Sequence, residues 1–373
     1  MRWTFVVGAR PQFIKLAPLI HELQRHQTPF EVIHTGQHYD DNMSRLFFEE
    51  LNLPQADINL NVGSMSHGAQ TGEMLARIEE VLEKSRSGIV CVFGDTNSTL
   101  AGALAASKLK IPVAHVEAGL RSFNFSMPEE QNRILTDHLS TLLFCPTQKA
   151  VTQLKEEGIE DGKKYSGSYL RERVVVLSGD IMADALFSFS LKAAEKRSAR
   201  ALGLEEDGYA LVTIHRAENT DPPGRLKSII EALGRLPLPL LLPLHPRSAQ
   251  VIRKEKIILP DNLRIIEPQG YLDMISLERT ARCIITDSGG IQKEAYLLKV
   301  PCVTIRPETE WPETLSHGWN RLTDIDGILH ITEKVEEALA MKRDKVLWPA
   351  CYGDGDAAEK IRESMESWEK RFL

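Results

Sequence analysis

No run of ~18 apolar residues occurs in the chain, so no transmembrane helix is expected. The five cysteines (Cys91, Cys145, Cys283, Cys302, Cys351) form no CxxC pair, which argues against a zinc ribbon or a dithiol redox motif. Several fall in expected strands, where a free thiol behaves as a small hydrophobe, and reduced cysteines in a cytoplasmic protein are the simplest reading. Positive charge is not in excess: 45 Lys and Arg against 52 Asp and Glu leave a net charge of -7, which does not favour a nucleic-acid partner. The five tryptophans, at 3, 311, 319, 348 and 368, are too dispersed for a base-stacking platform. The first apolar run, Met1–Gly8, is too short for a signal-peptide core. GxGxxG does not follow the first strand, and neither GxxxxGK[ST] nor HExxH is present. His115-Val116-Glu117 matches the HxE of zinc deaminases, but the accompanying PCxxC is missing. Neither a bound metal nor a cofactor is expected.

What remains is an α/β pattern. At roughly 100–200 residues per domain, 373 residues suggest two domains. Expected strands of the first half are Thr4–Val7, Glu31–His34, Ile89–Phe93, Pro112–Val116, Leu142–Cys145 and Val174–Leu177. They are rich in Val and Ile and lack polar alternation, as strands buried on both faces do. Helix-like stretches lie between them at 14–25, 42–51, 72–84, 98–108, 129–139 and 148–157. The alternation implies a parallel sheet with right-handed crossovers. After Ser178-Gly179-Asp180 it restarts, with strands expected at 209–214, 238–244, 263–266, 283–286 and 301–305 and a last helix at 356–370. The domain boundary is expected within about 170–182.

Polar residues recur where strands end. Val90–Phe93 runs into Gly94-Asp95-Thr96-Asn97-Ser98, and Val113–Val116 into Glu117-Ala118-Gly119. Val212–Ile214 runs into His215-Arg216, Leu240–Leu244 into His245-Pro246, and Ile284–Thr286 into Asp287-Ser288-Gly289-Gly290. Ligands of open α/β sheets bind beyond the carboxyl ends of the strands, so titratable groups there in both halves mark a cleft. Each also has a structural reading. Asp95 could cap the following helix, whereas Glu117 sits in a glycine-rich bend with no helix to cap. His215 and His245 could be satisfied core histidines. Ser288-Gly289-Gly290 before a helix and Gly8-Ala9-Arg10-Pro11 with Lys15 before another are anion sites of the helix-N-terminus kind, and together they fit a clamped diphosphate.

Taken in order, Gly8-Ala9-Arg10-Pro11-Gln12-Phe13-Ile14-Lys15, Gly36-Gln37-His38, Gly94–Ser98, His115-Val116-Glu117-Ala118-Gly119-Leu120-Arg121, Pro128-Glu129-Glu130-Gln131-Asn132-Arg133, His215-Arg216-Ala217-Glu218-Asn219 and Thr286–Glu294 resemble the non-hydrolysing UDP-N-acetylglucosamine 2-epimerases over nearly the whole chain. The resemblance implies a GT-B fold, two Rossmann-like domains with parallel sheets flanking a central cleft. Residues 1–175 and 176–355 would be the two domains, with a C-terminal helix, 356–373, returning to the first. It implies an isomerase that inverts C2 of a UDP-HexNAc, converting UDP-GlcNAc to UDP-ManNAc by eliminating UDP and adding it back, for cell-surface polysaccharide precursors. Asp95, Glu117 and Glu129 would be acid/base carboxylates and His215 an essential histidine. Arg10, Ser288, Gly289 and Gly290 would contact the diphosphate, Lys15 the UDP, Glu294 the ribose, and Gln269 with the backbone near Met274 the uracil. Gln37, His38, Arg216 and His245 would build a second, allosteric UDP-GlcNAc site. A homodimer is expected, and no membrane partner.

Departures bear on the substrate. Many members read GTRPEA at the start and TERPE late, whereas this chain reads Gly8–Phe13 as above and Thr309-Glu310-Trp311-Pro312-Glu313, with Trp311 replacing an arginine of the usual UDP site. Tyr39-Asp40-Asp41-Asn42-Met43, Ser122-Phe123-Asn124 and Ala217-Glu218-Asn219 resemble the branch acting on UDP-2,3-diacetamido-2,3-dideoxyglucuronate. Such a 2-epimerase, a GT-B glycosyltransferase, a hydrolysing epimerase and a catalytically silent UDP-sugar sensor are the alternatives.

Overall fold

The computed structural model describes residues 2–37, 48–85, 87–165, 172–323 and 328–372. The chain divides into two compact units, Met1–Ser188 with Ala350–Leu373, and Phe189–Pro349. His38, the segment Tyr39–Met43 and most of the helix expected over 42–51 lie outside the described residues.

In the first unit, β1 (Arg2–Val7), β2 (Phe30–His34), β3 (Ile58–Asn59), β4 (Ser87–Phe93), β5 (Val113–Val116), β6 (Leu142–Cys145) and β7 (Val174–Leu177) form one sheet in the order β3-β2-β1-β4-β5-β6-β7. Every pairing is parallel. The apolar runs are the reason: β4 and β5 are buried along almost their whole length, so both faces need helices over them. The order reverses at β1, which lies between β2 and β4, and this opens a crevice at the carboxyl ends of β1 and β4. The helix Asn97–Lys108 packs hard against these two strands. Gly102 permits it, because a Cβ there would stand 3.0 Å from Val92 and 3.1 Å from Val6.

The last helix, Ala357–Phe372, belongs to this unit. Its Arg362 Nε donates to Glu22 Oε1 at 3.1 Å, and Trp3 Nε1 donates to its Glu369 at 3.2 Å. Ile361, Met365 and Trp368 are buried, each contributing roughly 1.5–3 kcal/mol of apolar burial. The units meet in sequence at Ser188/Phe189, within the helix Ile181–Lys196, and again at Pro349/Ala350. Residues 178–188 stay with the first unit because Asp180 N–H donates to Tyr352 O at 2.9 Å, while the carboxylate of Asp184 accepts from the amides of Ala357 and Ala358.

In the second unit, β8 (Ala210–Thr213), β9 (Leu240–Pro243), β10 (Leu263–Ile266), β11 (Cys283–Thr286), β12 (Cys302–Thr304) and β13 (Asn320–Leu322) are ordered β10-β9-β8-β11-β12-β13, again all parallel. The reversal now falls at β8, beside β11. The edge strands β3 and β13 were not expected from the sequence. They are two and three residues long and carry polar Asn59, Asn320 and Arg321, so neither length nor pattern announces them.

Candidate active site

In the first unit the loops after β1, β4 and β5 come together. Gly8 must be glycine, because a Cβ would overlap the hydroxyls of Thr35 and Ser98. Gln12 then ties the crevice: its Oε1 accepts from the amides of Gly8 (2.8 Å) and Ala9 (3.0 Å), and its Nε2 donates to Phe93 O (3.0 Å) at the end of β4. The helix that follows begins at Arg10, earlier than its apolar periodicity suggests, so the partly exposed Arg10 occupies its first position.

Asp95 is not the cap of the next helix. Thr96 is: its hydroxyl accepts from Thr99 N–H at 3.3 Å. Asp95, about three-tenths exposed, is free for another use and pairs with the buried Arg133. Arg133 also bonds Glu130 at 3.1 Å, and Asn132 donates to Asp95 O at 2.9 Å. Glu130 accepts from the amides of Ser122 (2.9 Å) and Phe123 (2.8 Å), which fixes the loop after Arg121. Glu129 is partly exposed in the first turn of the same helix, Pro128–Leu139.

Glu117 has φ 73°, a conformation that is unfavourable for a side-chain-bearing residue by about 1–3 kcal/mol. It is held there because the amides of Glu117 and Ala118 both donate to Phe144 O, at 3.1 and 3.0 Å. Its Oε1 lies 2.5 Å from Lys15 Nζ, and both side chains are buried. Lys15, which the resemblance implies as a UDP contact, also partners this carboxylate. Behind Glu117, His115, Asp137 and Arg121 form a second buried cluster. Burial would push the Asp137 carboxyl up, but His115 and Arg121 outweigh it and hold it below the usual carboxylate range. Gln37 accepts from the Ser98 amide at 3.1 Å and hydroxyl at 2.6 Å.

In the second unit, Asp287 organises the crevice between β8 and β11. It accepts from the amides of His215 (3.0 Å) and Arg216 (2.9 Å) and from Asn219 Nδ2 (3.1 Å). Its Oδ1 is 3.2 Å from His215 Nδ1. Burial opposes the ionised form, yet His215, the Arg216 amide and Asn219 keep the Asp287 carboxyl below its ordinary value. His215 is therefore a partly exposed strand-end residue oriented by a buried carboxylate. His245 is not a core histidine either: it is exposed, its Nδ1 accepts from Arg247 N–H at 3.2 Å, and its ring centroid lies 5.4 Å from that of His215.

Ser288 stands at the N-cap position of the helix Gly289–Leu297, without a capping hydrogen bond from its side chain, and the first amides of such a helix favour an anion. A Cβ on Gly289 would overlap Glu310, whose carboxylate is flanked by Arg306 (2.9 Å) and Arg216 (3.8 Å). Trp311 is buried beside it, with Lys293 Nζ 3.8 Å from the centre of its ring. Glu294 is buried in the same helix. Gln269 Nε2 donates to Glu267 O at 2.7 Å, and the amide of Met274 to Gly270 O at 3.0 Å in the helix Tyr271–Thr280. Among the described residues no three His, Cys, Asp or Glu side chains are placed to hold a metal ion.

Strand-end reading passes over Gln12, Arg133, Asp137 and Arg306. Glu130, Arg133 and Asp137, at spacing i, i+3, i+7 on one helix face, are all buried despite their charges. Arg306 lies two residues past β12, a position that could have pointed to it.

The sequence model of the family described as UDP-N-acetylglucosamine 2-epimerase matches residues 21–366. A UDP-N-acetylglucosamine 2-epimerase homolog from Methanococcus maripaludis is 48% identical, covering 98% of this chain and 100% of the relative. UDP-2,3-diacetamido-2,3-dideoxy-D-glucuronate 2-epimerase from Pseudomonas aeruginosa is 46% identical over 97% of this chain and 99% of its own. The crystal structure of Methanocaldococcus jannaschii UDP-GlcNAc 2-epimerase in complex with UDP-GlcNAc and UDP superposes with a TM-score of 0.89 at 42% identity, covering 98% of this chain and 100% of that one. The two-unit α/β architecture is of the GT-B type. The chain belongs to the UDP-N-acetylglucosamine 2-epimerase family, and it is an isomerase of the 2-epimerase class.

Proposed function

We propose that the protein inverts C2 of a UDP-N-acetylhexosamine, UDP-GlcNAc to UDP-ManNAc, without hydrolysing the nucleotide-sugar bond. The observation that carries this reading is the pair Asp95 and Glu117 on adjacent strand ends, each beside its own buried cation, Arg133 and Lys15. C2–H of the sugar is not next to a carbonyl, so it is not acidic in the ground state. As the C1–O bond to UDP breaks, C1 becomes cationic and the C2 proton becomes removable. A carboxylate takes the proton, the C2–H electron pair becomes the C1–C2 double bond, and the C1–O pair leaves with UDP. The 2-acetamidoglucal then accepts a proton at C2 on the opposite face while a phosphate oxygen of UDP attacks C1.

Two faces require two acid/base groups with separate environments, which Asp95 and Glu117 have, and Glu129 is the third candidate. Departure of UDP is helped by charge-assisted hydrogen bonds from Arg10, the Ser288–Gly290 helix start and His215. Lys15 is a proposed UDP contact that also pairs with Glu117. Glu294, Gln269 and the Met274 backbone are the proposed nucleoside contacts. Gln37, Arg216 and His245 are the proposed contacts of a second UDP-GlcNAc. His38 completes that set from outside the described residues. The family resemblance supports a homodimer and a cytoplasmic location. No helix among the described residues is long and apolar enough to cross a membrane.

The diacetamido-uronate is the second reading, favoured by Trp311 and by the Pseudomonas aeruginosa relative. Parallel incubation of both UDP-sugars in D2O separates the two. Deuterium at C2, with the sugar still bound to UDP, supports the elimination and names the substrate. Absence of exchange with every UDP-HexNAc offered would sink the epimerase reading.

A further inference from the structure

Behind the two proposed acid/base carboxylates lies an ionic cluster that the chemistry above does not use. His115, on β5, and Asp137, on the helix Pro128–Leu139, have side chains with no exposure at all, and the Arg121 side chain is 2% exposed. Taking such ions out of water costs several kcal/mol each, and an apolar core would often be as stable. The cluster therefore calls for a role beyond packing.

Its hydrogen bonds lead to the two loops that carry chemistry. His115 Nε2 lies 2.8 Å from Gly94 O, the carbonyl directly before Asp95. A carbonyl oxygen only accepts, so the imidazole donates there. The other ring nitrogen lies 2.7 Å from Asp137 Oδ1. The second oxygen, Asp137 Oδ2, accepts from the Gly119 amide at 3.2 Å, two residues beyond Glu117, and from Arg121 Nη1 at 2.7 Å. Arg121 is anchored in turn by Glu157 through Nε at 2.7 Å and Nη2 at 2.6 Å. One carboxylate thus ties the loop after β4 to the loop after β5. Both loops need tethers, because Gly94 (φ 63°) and Glu117 (φ 73°) are in left-handed conformations just past their strands.

We propose that His115 and Asp137 are positioning residues for catalysis: through Gly94 O and Gly119 N–H they set the spacing of Asp95 and Glu117 on the sugar. The inference rests on the acid/base reading of those two carboxylates. Neither His115 nor Asp137 touches the reacting atoms, so their effect falls on kcat and not on binding.

Two substitutions at one position separate positioning from packing. In His115→Asn the amide nitrogen stands where Nδ1 was, so it meets Asp137 and cannot reach Gly94 O. In His115→Gln the amide nitrogen reaches the place of Nε2 and donates to Gly94 O. Deuterium exchange at C2 of the substrate sugar is measured for wild type and both variants, per UDP-binding site titrated. The Asn variant is expected to lose about 100-fold in kcat, as a misplacement of order 1 Å does, with KM within about threefold. The Gln variant is expected to recover to within about tenfold of wild type. Asp137→Asn, which keeps the volume, is expected to lose kcat like His115→Asn. Equal losses in the Asn and Gln variants, wild-type kcat in His115→Asn or Asp137→Asn, or a loss confined to KM overturns the inference. A wild-type enzyme that exchanges no deuterium overturns the acid/base reading itself, and this inference with it.

Discussion

Lys15 Nζ and Glu117 Oε1 meet at 2.5 Å inside the first unit, although 102 residues separate them in the chain. The contact passes over Gly94, where a Cβ would stand 3.1 Å from the ammonium and 3.5 Å from the carboxylate. A proposed base, its counter-ion and the glycine before Asp95 are therefore one packed group. Because both charges are buried, removing one takes from the other its buried counter-ion.

Lys15→Met is accordingly expected to destabilise the first unit by about 3 kcal/mol, and Lys15→Met with Glu117→Gln to recover more than half of that. Chemical denaturation of the single and double variants gives the coupling directly. Simple additivity of the two losses would show that the ion pair does not hold the bend.

Asp95→Asn is expected to lower kcat by about 1,000-fold while UDP binding stays within about threefold, since the amide keeps a contact to Arg133 but cannot take a proton. Steady-state kinetics with calorimetric UDP titration checks this. A parallel loss of UDP affinity would assign Asp95 to binding.

Gly289→Ala places a methyl group against Glu310 at the start of the helix Gly289–Leu297. The expected outcome is UDP binding weakened by about tenfold or more with an unchanged fold, because the helix-start amides lose their approach to an anion. Unaltered UDP affinity would remove the Ser288–Gly290 segment from the nucleotide site.

Asp184 supplies a pH test unrelated to catalysis. Its carboxyl is pushed up from 3.8 to about 6 by burial, which outweighs the two helix-start amides of Ala357 and Ala358 that favour the ionised form. The folded chain therefore binds a proton that the unfolded chain has lost between these values. Stability should fall as pH rises through that window, from about 4 to about 6. In Asp184→Asn the melting temperature should lose this slope. A variant as pH-dependent as wild type across the window would refute the assignment.

Sequence by itself determined a great deal here. Val- and Ile-rich runs without polar alternation read as buried strands, so the parallel α/β architecture was legible, as was the restart of the pattern in the second half. Val174–Leu177, an edge strand of the first sheet, is nevertheless only partly buried because no strand pairs beyond it. Strand-end position singled out Asp95, Glu117, His215 and Ser288–Gly290, because the geometry of an open parallel sheet puts whatever follows a strand at the crevice. Motifs in order identified the family. What a residue faces is a different matter. That Thr96 and not Asp95 caps its helix, that Lys15 meets Glu117, that His245 is an exposed cap, and that Glu130, Arg133 and Asp137 are a buried face were decided only by tertiary structure. The physical reason is that a charge has no local signature of its partner. Periodicity reports which face of a helix is apolar, whereas burial of a charged face depends on cations and amides brought from loops tens of residues away.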